Sequence, residues 1–395
     1  MLDANHPTLT LRSMFMSITD ISRKESPLLR QRMDGYRVPV PAGDSAVTSL
    51  TTGPKGLVYG AASGVNNSYL FAFDNLSSKQ LGTLVKTDQP VGIYRSLVCD
   101  GSNNLYFGTM PCIDSLERVH TPEDYEGGHL YRVSVSVSLF HNEEGVDDTL
   151  FAASEMVDCG IPVPGEGIQN LVYDDCSNKI YGLTHPGTHL FSYDIESGNF
   201  DDFGSILKDS DPAYFRGYLR PRTLVSDCHG NIYGSGESGH LFNIDTWTNT
   251  FSYSSAQIPG MKVRLEWDTA ESFVCVSPRV ILGGTCDGYL FKFYPQEDRV
   301  VNLGKPSMER RIRGLVLVGE NTVYGVCGDF RGASHIFRYN LLEGGFTDLG
   351  MFDSIPIENS SPWTAYNIET LIMDDFGAIF LGEHDTASHL LRYLP

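Results

Sequence analysis

A chain of 395 residues with 49 acidic and 29 basic side chains carries a formal charge of −20, which disfavours nucleic acid or an anionic membrane surface as its partner. It contains no apolar run long enough to span a bilayer, and its 40 glycines and 20 prolines fit a turn-rich all-β protein. The eight cysteines show no CxxC spacing, so they read as free thiols rather than a zinc site or redox pair.

Residues 1–44 read as a polar N-terminal arm with a basic patch, Arg23, Lys24, Arg30 and Arg32. The opening stretch lacks the uninterrupted apolar core of a secretory signal. Two compartments stay open: the cell interior, or the exterior after removal of a leader. From 45 to 395 a single pattern recurs. Its clearest copy is Arg222 to Asp245, RTLVSDCHGNIYGSGESGHLFNID, three short alternating strands broken at DCHGN and GES. Second-strand anchors at Tyr59, Tyr106, Tyr181, Tyr233, Leu282, Tyr324 and Phe380 mark seven copies. The third strand opens at Tyr69, His129, His189, His240, Tyr289, His335 and His389. Most copies continue into a fourth strand, as in GNFDDFG, DRVVNLG and GGFTDLG.

Such a repeat of about 40–55 residues is the unit of a propeller, because one small sheet cannot bury both faces alone. The expected fold is therefore all-β, a seven-bladed β-propeller of four-stranded antiparallel blades. The last copy ends at HLLRYLP without its fourth strand. A segment around Tyr36 to Val40 is expected to supply that strand and close the ring, removing two open edges.

Between the strands lie four long stretches that read as loops: MPCIDSLERVHTPEDYEGG inside blade 2, FHNEEGVDDTLFAASEMVDCGIPVPGEG before blade 3, LKDSDPAYFRGYLRP before blade 4 and DSIPIENSSPWTAYN before blade 7. Loops from second to third strand and from fourth to first open on one face of a propeller, which is therefore the expected site face.

Counting back 11 residues from each anchor gives Thr48, Arg95, Arg222, Glu271, Arg313 and Glu369, and blade 3, with one extra residue, gives Gln169. These open the innermost strands at the mouth of the central channel. Three arginines converging there either grip a carboxylate or pair with Glu271 and Glu369 for structure. The recurring histidines read as structural hydrogen-bonding groups, and His229 as a turn residue. His185 and His384 sit in second turns on the site face, with His120 in the blade 2 insertion. Tyr94, Tyr214, Tyr218, Trp363 and Tyr366 fall in loops of the same face, either as platforms for a sugar ring or as loop packing. No GxSxG elbow, phosphate loop or HExxH motif occurs.

The stretches NKIYGLTHPGTHLFSYDIESGNFDDFG, RIRGLVLVGENTVYGVCGDFRGASHIFRYN and SPWTAYNIETLIMDDFGAIFLGEHDTASHL resemble seven-bladed carbohydrate-active propellers. These are the L-rhamnose-α-1,4-D-glucuronate lyases, related ulvan lyases and α-L-rhamnosidases acting on arabinogalactan. The resemblance runs over nearly the whole chain from about residue 45 and rests on blade motifs, which speak to fold more than activity. It implies a polysaccharide lyase cleaving a rhamnose–glucuronate linkage by β-elimination in arabinogalactan-type glycans such as gum arabic. His185, Tyr218 and Arg222 would be catalytic. Arg95, Arg313, Tyr94, Gln169, Arg220, Trp363, Tyr366, Glu369 and His384 would bind substrate. An α-L-rhamnosidase-type hydrolase on the same scaffold, or a non-catalytic carbohydrate- or protein-binding propeller, are the alternatives. No cofactor is required, a structural Ca²⁺ in the channel or turns is neither required nor excluded, and a monomer acting on an acidic glycan is expected.

Overall fold

The computed structural model describes residues 32–41, 43–64, 67–75, 79–87, 91–113, 119–141, 147–207, 221–260, 269–328, 334–358, 360–385 and 387–395. Seven antiparallel sheets follow one another, with innermost strands Ala46–Thr52, Leu97–Cys99, Gly167–Asp174, Leu224–Ser226, Ala270–Ser277, Ile312–Val318 and Ile368–Met373. Each innermost strand packs on the next in this order, and Ile368–Met373 packs back on Ala46–Thr52. No helix among the described residues is long and apolar enough to cross a membrane.

The repeat motif explains the packing within each sheet. All seven anchors lie in second strands and are buried. In five of the seven sheets the residue after the anchor is a glycine that makes room for the third-strand phenylalanine. A Cβ on Gly182 would sit 2.4 Å from Phe191, and one on Gly325 would sit 2.4 Å from Phe337. The far end of the ring thus fills the space a Cβ would need, an arrangement that any larger residue would break. Between sheets, apolar side chains interdigitate, as where Tyr181, Leu183 and Leu190 of the third sheet meet Leu224, Ile232 and Phe242 of the fourth. Burying each such side chain stabilises the fold by about 1.5–3 kcal/mol.

Met33–Arg37 pairs antiparallel with His389–Tyr393 and is the fourth strand of the last sheet. It lies upstream of the expected Tyr36 to Val40, because Pro39 and Pro41 have no N–H to give to a ladder. Arg392 anchors it, donating from Nε to Asp34 at 3.1 Å.

The stretches read as loops around the second sheet contain further strands. Met110–Ile113 pairs with both Val91–Gly92 and Val119–His120, forming a separate three-stranded sheet. The second sheet itself has five strands, since Asp147–Ala153 and Val157–Gly160 both pair with the long strand Leu130–His141.

Candidate functional site

The residues found by counting back from the anchors share a local device. Val47 pairs with Ala62 and Ser49 with Ala61, which leaves Thr48 as an extra, bulged residue. The same skip in register singles out Gln169, Glu271, Arg313 and Glu369. A β-bulge breaks the alternation and re-aims one side chain, so each sheet can turn one group towards the common axis. Arg95 and Arg222 do this from just before the shorter innermost strands of the second and fourth sheets. Arg95 has a φ of 52°, a left-handed conformation rare outside glycine. Its N–H donates to the Thr48 carbonyl at 3.1 Å and its own carbonyl accepts from Leu171 N–H at 3.2 Å, which pins it between the first and third sheets.

The charged groups pair across the channel. Arg222 donates from Nε to Glu271 Oε2 at 3.0 Å and closes a second contact from Nη2 to the same oxygen. Arg311 approaches the other side of Glu271, with Nε 3.1 Å from Oε1. Glu369 accepts from Arg95 Nε at 3.1 Å and from Arg313 Nη1, and Arg222 Nη1 lies 3.6 Å from its Oε1. Arg95 extends furthest: its guanidinium also donates to the carbonyls of Glu271, Arg313 and Glu369, which belong to the fifth, sixth and seventh sheets. Arg311 was not foreseen. It precedes the counted position and is turned inward by its own positive φ of 58°. The RRIR run was its only trace in the sequence.

Burial alone would push the Glu271 carboxyl up, but Arg222, Arg311, Arg313 and Arg95 outweigh it and hold the group well below the usual carboxylate range. Glu369 behaves likewise, burial being overcome by Arg313, Arg95 and Arg222. Burial, and after it the nearby Arg222, brings the Arg95 guanidinium down to about 10. Cys286 completes the cluster, its thiol 2.7 Å from Glu271 Oε1.

Tyr94, Arg95, Gln169, Arg222, Glu369 and His384 line one cavity together with Ile113. Its volume of about 20 Å³ suits one water-sized group. The buried Gln169 Oε1 has no hydrogen-bond partner. Rings of Tyr94 and His384 are 6.3 Å apart, and the Tyr94 hydroxyl is held by the Ile113 backbone, accepting from its N–H at 2.7 Å. His384 is anchored through its own N–H, which donates to Asn367 O at 2.8 Å.

The other expected site residues lie apart from this cavity. His185 is buried and precedes a cis peptide to Pro186. Trp363 is committed to packing: its indole N–H donates to Glu383 at 2.9 Å and its ring lies 4.7 Å from that of His389. Tyr366 stands half exposed on the surface. Tyr214, Tyr218 and Arg220 fall outside the described residues. Among the described residues no three His, Cys, Asp or Glu side chains gather as a metal cradle. Guanidinium groups crowd the channel mouth, where they would repel a cation.

The recurring histidines bond within their own sheets. Nδ1 of His129, His189 and His335 meets a fourth-strand carboxylate, Asp158, Asp202 and Asp348, at 2.9, 3.1 and 3.1 Å. The same aspartates accept the N–H of a glycine two residues on, as Asp202 does from Gly204 at 2.8 Å. His389 turns to Glu383 instead, because Met33–Arg37 offers no acid at that place. His240 meets the Ser254 carbonyl at 3.3 Å.

No family model and no curated protein matches this chain. Solved structures do. A streptogramin B lyase superposes with a TM-score of 0.62 at 10% identity, over 93% of this chain and 99% of that one. Virginiamycin B lyase from Staphylococcus aureus gives 0.60 at 12%, over 92% and 99%. The WD40 β-propeller domain of Doa1 gives 0.57 at 12%, over 92% and 98%. At these identities the likeness establishes the architecture, and the chain has the β-propeller fold.

Proposed function

We propose that this chain is a lyase that cleaves a uronate-containing glycan by β-elimination at the channel mouth, with a rhamnose–glucuronate linkage as the favoured target. One observation carries the reading: His384, Tyr94, Arg95, Arg222 and Gln169 line a single cavity. Lyases among the solved structures of this fold lend support. The cavity takes a carboxylate oxygen or a water, so the sugar ring would lie over the mouth rather than inside it.

Elimination needs three things there. The uronate charge must be offset, or the proton on C5 is too weakly acidic to leave. Four guanidinium groups, Arg95, Arg222, Arg311 and Arg313, surround two carboxylates, Glu271 and Glu369, so a further carboxylate is electrostatically favoured. A base must take the C5 proton, a role that falls to His384. The electron pair then forms the C4–C5 double bond as the C4–oxygen bond breaks, and the departing oxygen takes a proton from a tyrosine hydroxyl, Tyr94 being the one in the cavity.

A second reading, a non-catalytic binding propeller, draws on the Arg–Glu pairs, which also account for the charges on structural grounds alone. Incubation with glucuronate-bearing polysaccharides, followed by ultraviolet absorbance, separates the readings, since only elimination creates the conjugated double bond. His384→Asn should lower the rate by about 10²–10⁴ while the melting temperature holds. A carboxyl-reduced glycan should not be cleaved. Cleavage without the absorbance would mean hydrolysis, and no cleavage of any such glycan would leave the binding reading.

A further inference from the structure

A second cleft, between the fourth and fifth sheets, opens on the face opposite the channel mouth. Its volume is about 570 Å³, within the usual range for a small-molecule site. The cause is local and visible in the chain. Sheets two, four and seven join their first two strands by five-residue turns, 100–104, 227–231 and 374–378. In the fifth sheet Ser277 pairs directly with Val280, leaving only Pro278 and Arg279 in the turn. A long turn would fill the space beside its neighbour. In the first sheet the anchor Tyr59 donates its hydroxyl to Asn103, in the turn of the next sheet, at 3.1 Å. The corresponding Tyr233 faces the cleft instead.

The lining is aromatic below and polar above. Phe242 and Phe293 are buried in its floor, and Tyr253, 39% exposed, forms a wall. Trp247 is 71% exposed and stands beside the lining turn 229–231 rather than in the lining itself. Its indole covers Gly230, where a Cβ would come within 2.1 Å of Nε1, between the lining residues His229 and Asn231.

Charge narrows the ligand. Among the described residues no lysine or arginine lines the cleft, whereas Asp227 and Asp298 do. Both carboxylates are already engaged. Asp227 accepts from the backbone of His229 and Asn231 and from the Asn231 side chain. Asp298 accepts from Ser254 and Ser255. They repel an anion without offering a vacant cation grip. What remains for a ligand is ring faces, amide groups such as those of Asn243 and Gln296, and the imidazole of His229. That combination suits a molecule with an apolar C–H face and a rim of hydroxyls.

We propose that this cleft binds a neutral saccharide unit, and so holds a glycan chain at a point remote from the channel mouth. The proposal does not depend on the chemistry assigned to the mouth. Its test is calorimetric titration of the whole chain with neutral mono- and oligosaccharides, rhamnose and galactose among them, and with glucuronate in parallel. Neutral sugars should bind. Trp247→Ala and Gln296→Ala should each weaken binding by roughly threefold to tenfold at unchanged melting temperature. Absence of binding by every neutral saccharide would overturn the proposal, as would binding that both variants retain at full strength. Capture of a lysine-rich peptide that Trp247→Ala abolishes, without sugar binding, would overturn it in favour of a protein partner.

Discussion

His335 and Asp348 show what a blade histidine contributes. The hydrogen bond that His335 donates to Asp348 raises the His335 pKa, against a smaller opposing effect of burial. Asp348 is lowered, since the bond to His335 and the Gly350 N–H outweigh its burial. The raised histidine contributes stability that is fully present below its unfolded value, about 6.5, and is lost as pH rises through the folded one. The depressed aspartate contributes above its unfolded value, about 3.9, and loses its share as pH falls. The pair therefore helps most between those limits, by about 0.2–1 kcal/mol given its partial exposure. Thermal melts at mildly acidic and alkaline pH should show the wild type losing stability with rising pH, and His335→Gln losing less of it. Equal losses in both would remove this account. Glu271 is a sterner case. Its removal leaves Arg222 and Arg311 buried without it, so Glu271→Ala should cost about 3–5 kcal/mol in denaturant unfolding. The ring positions were legible because in six sheets they lie 11 residues before the anchor, and in five sheets a bulge at that place turns the side chain inward. Arg311 was not, because its inward turn comes from a backbone conformation that no spacing reveals.

At the level of strands, legibility followed repetition. Seven second-strand anchors located the seven sheets, and in five of them the glycine after the anchor answers a phenylalanine ring in the next strand. The strands around the second sheet had no such signature. Val91–Gly92 and Val119–His120 are short, pair only through Met110–Ile113, and carry no alternation to read. The strand Met33–Arg37 tests how much one element holds. It covers the edge of the last sheet, places Tyr36 against Phe73 at 4.6 Å and ties Asp34 to Arg392. A chain starting at residue 42 should melt at a lower temperature and associate through the bared edge, as size-exclusion chromatography would report. A monomer of unchanged melting temperature would show the strand to be dispensable.

For the molecule as a whole, the arginine that crosses the channel bears on how the protein comes apart. Where modules touch only their neighbours, stability is a sum of local terms, and unfolding can start at one place and spread. Arg95 breaks that locality, because a side chain rooted in the second sheet is bonded to the fifth, sixth and seventh. None of those can detach without releasing a guanidinium already removed from water. Denaturation should then be one cooperative transition, coincident by fluorescence and circular dichroism. Arg95→Met keeps much of the bulk and removes the tie. In that variant the two probes should separate, or the denaturant slope should fall, as sheets on opposite sides of the axis come loose in turn.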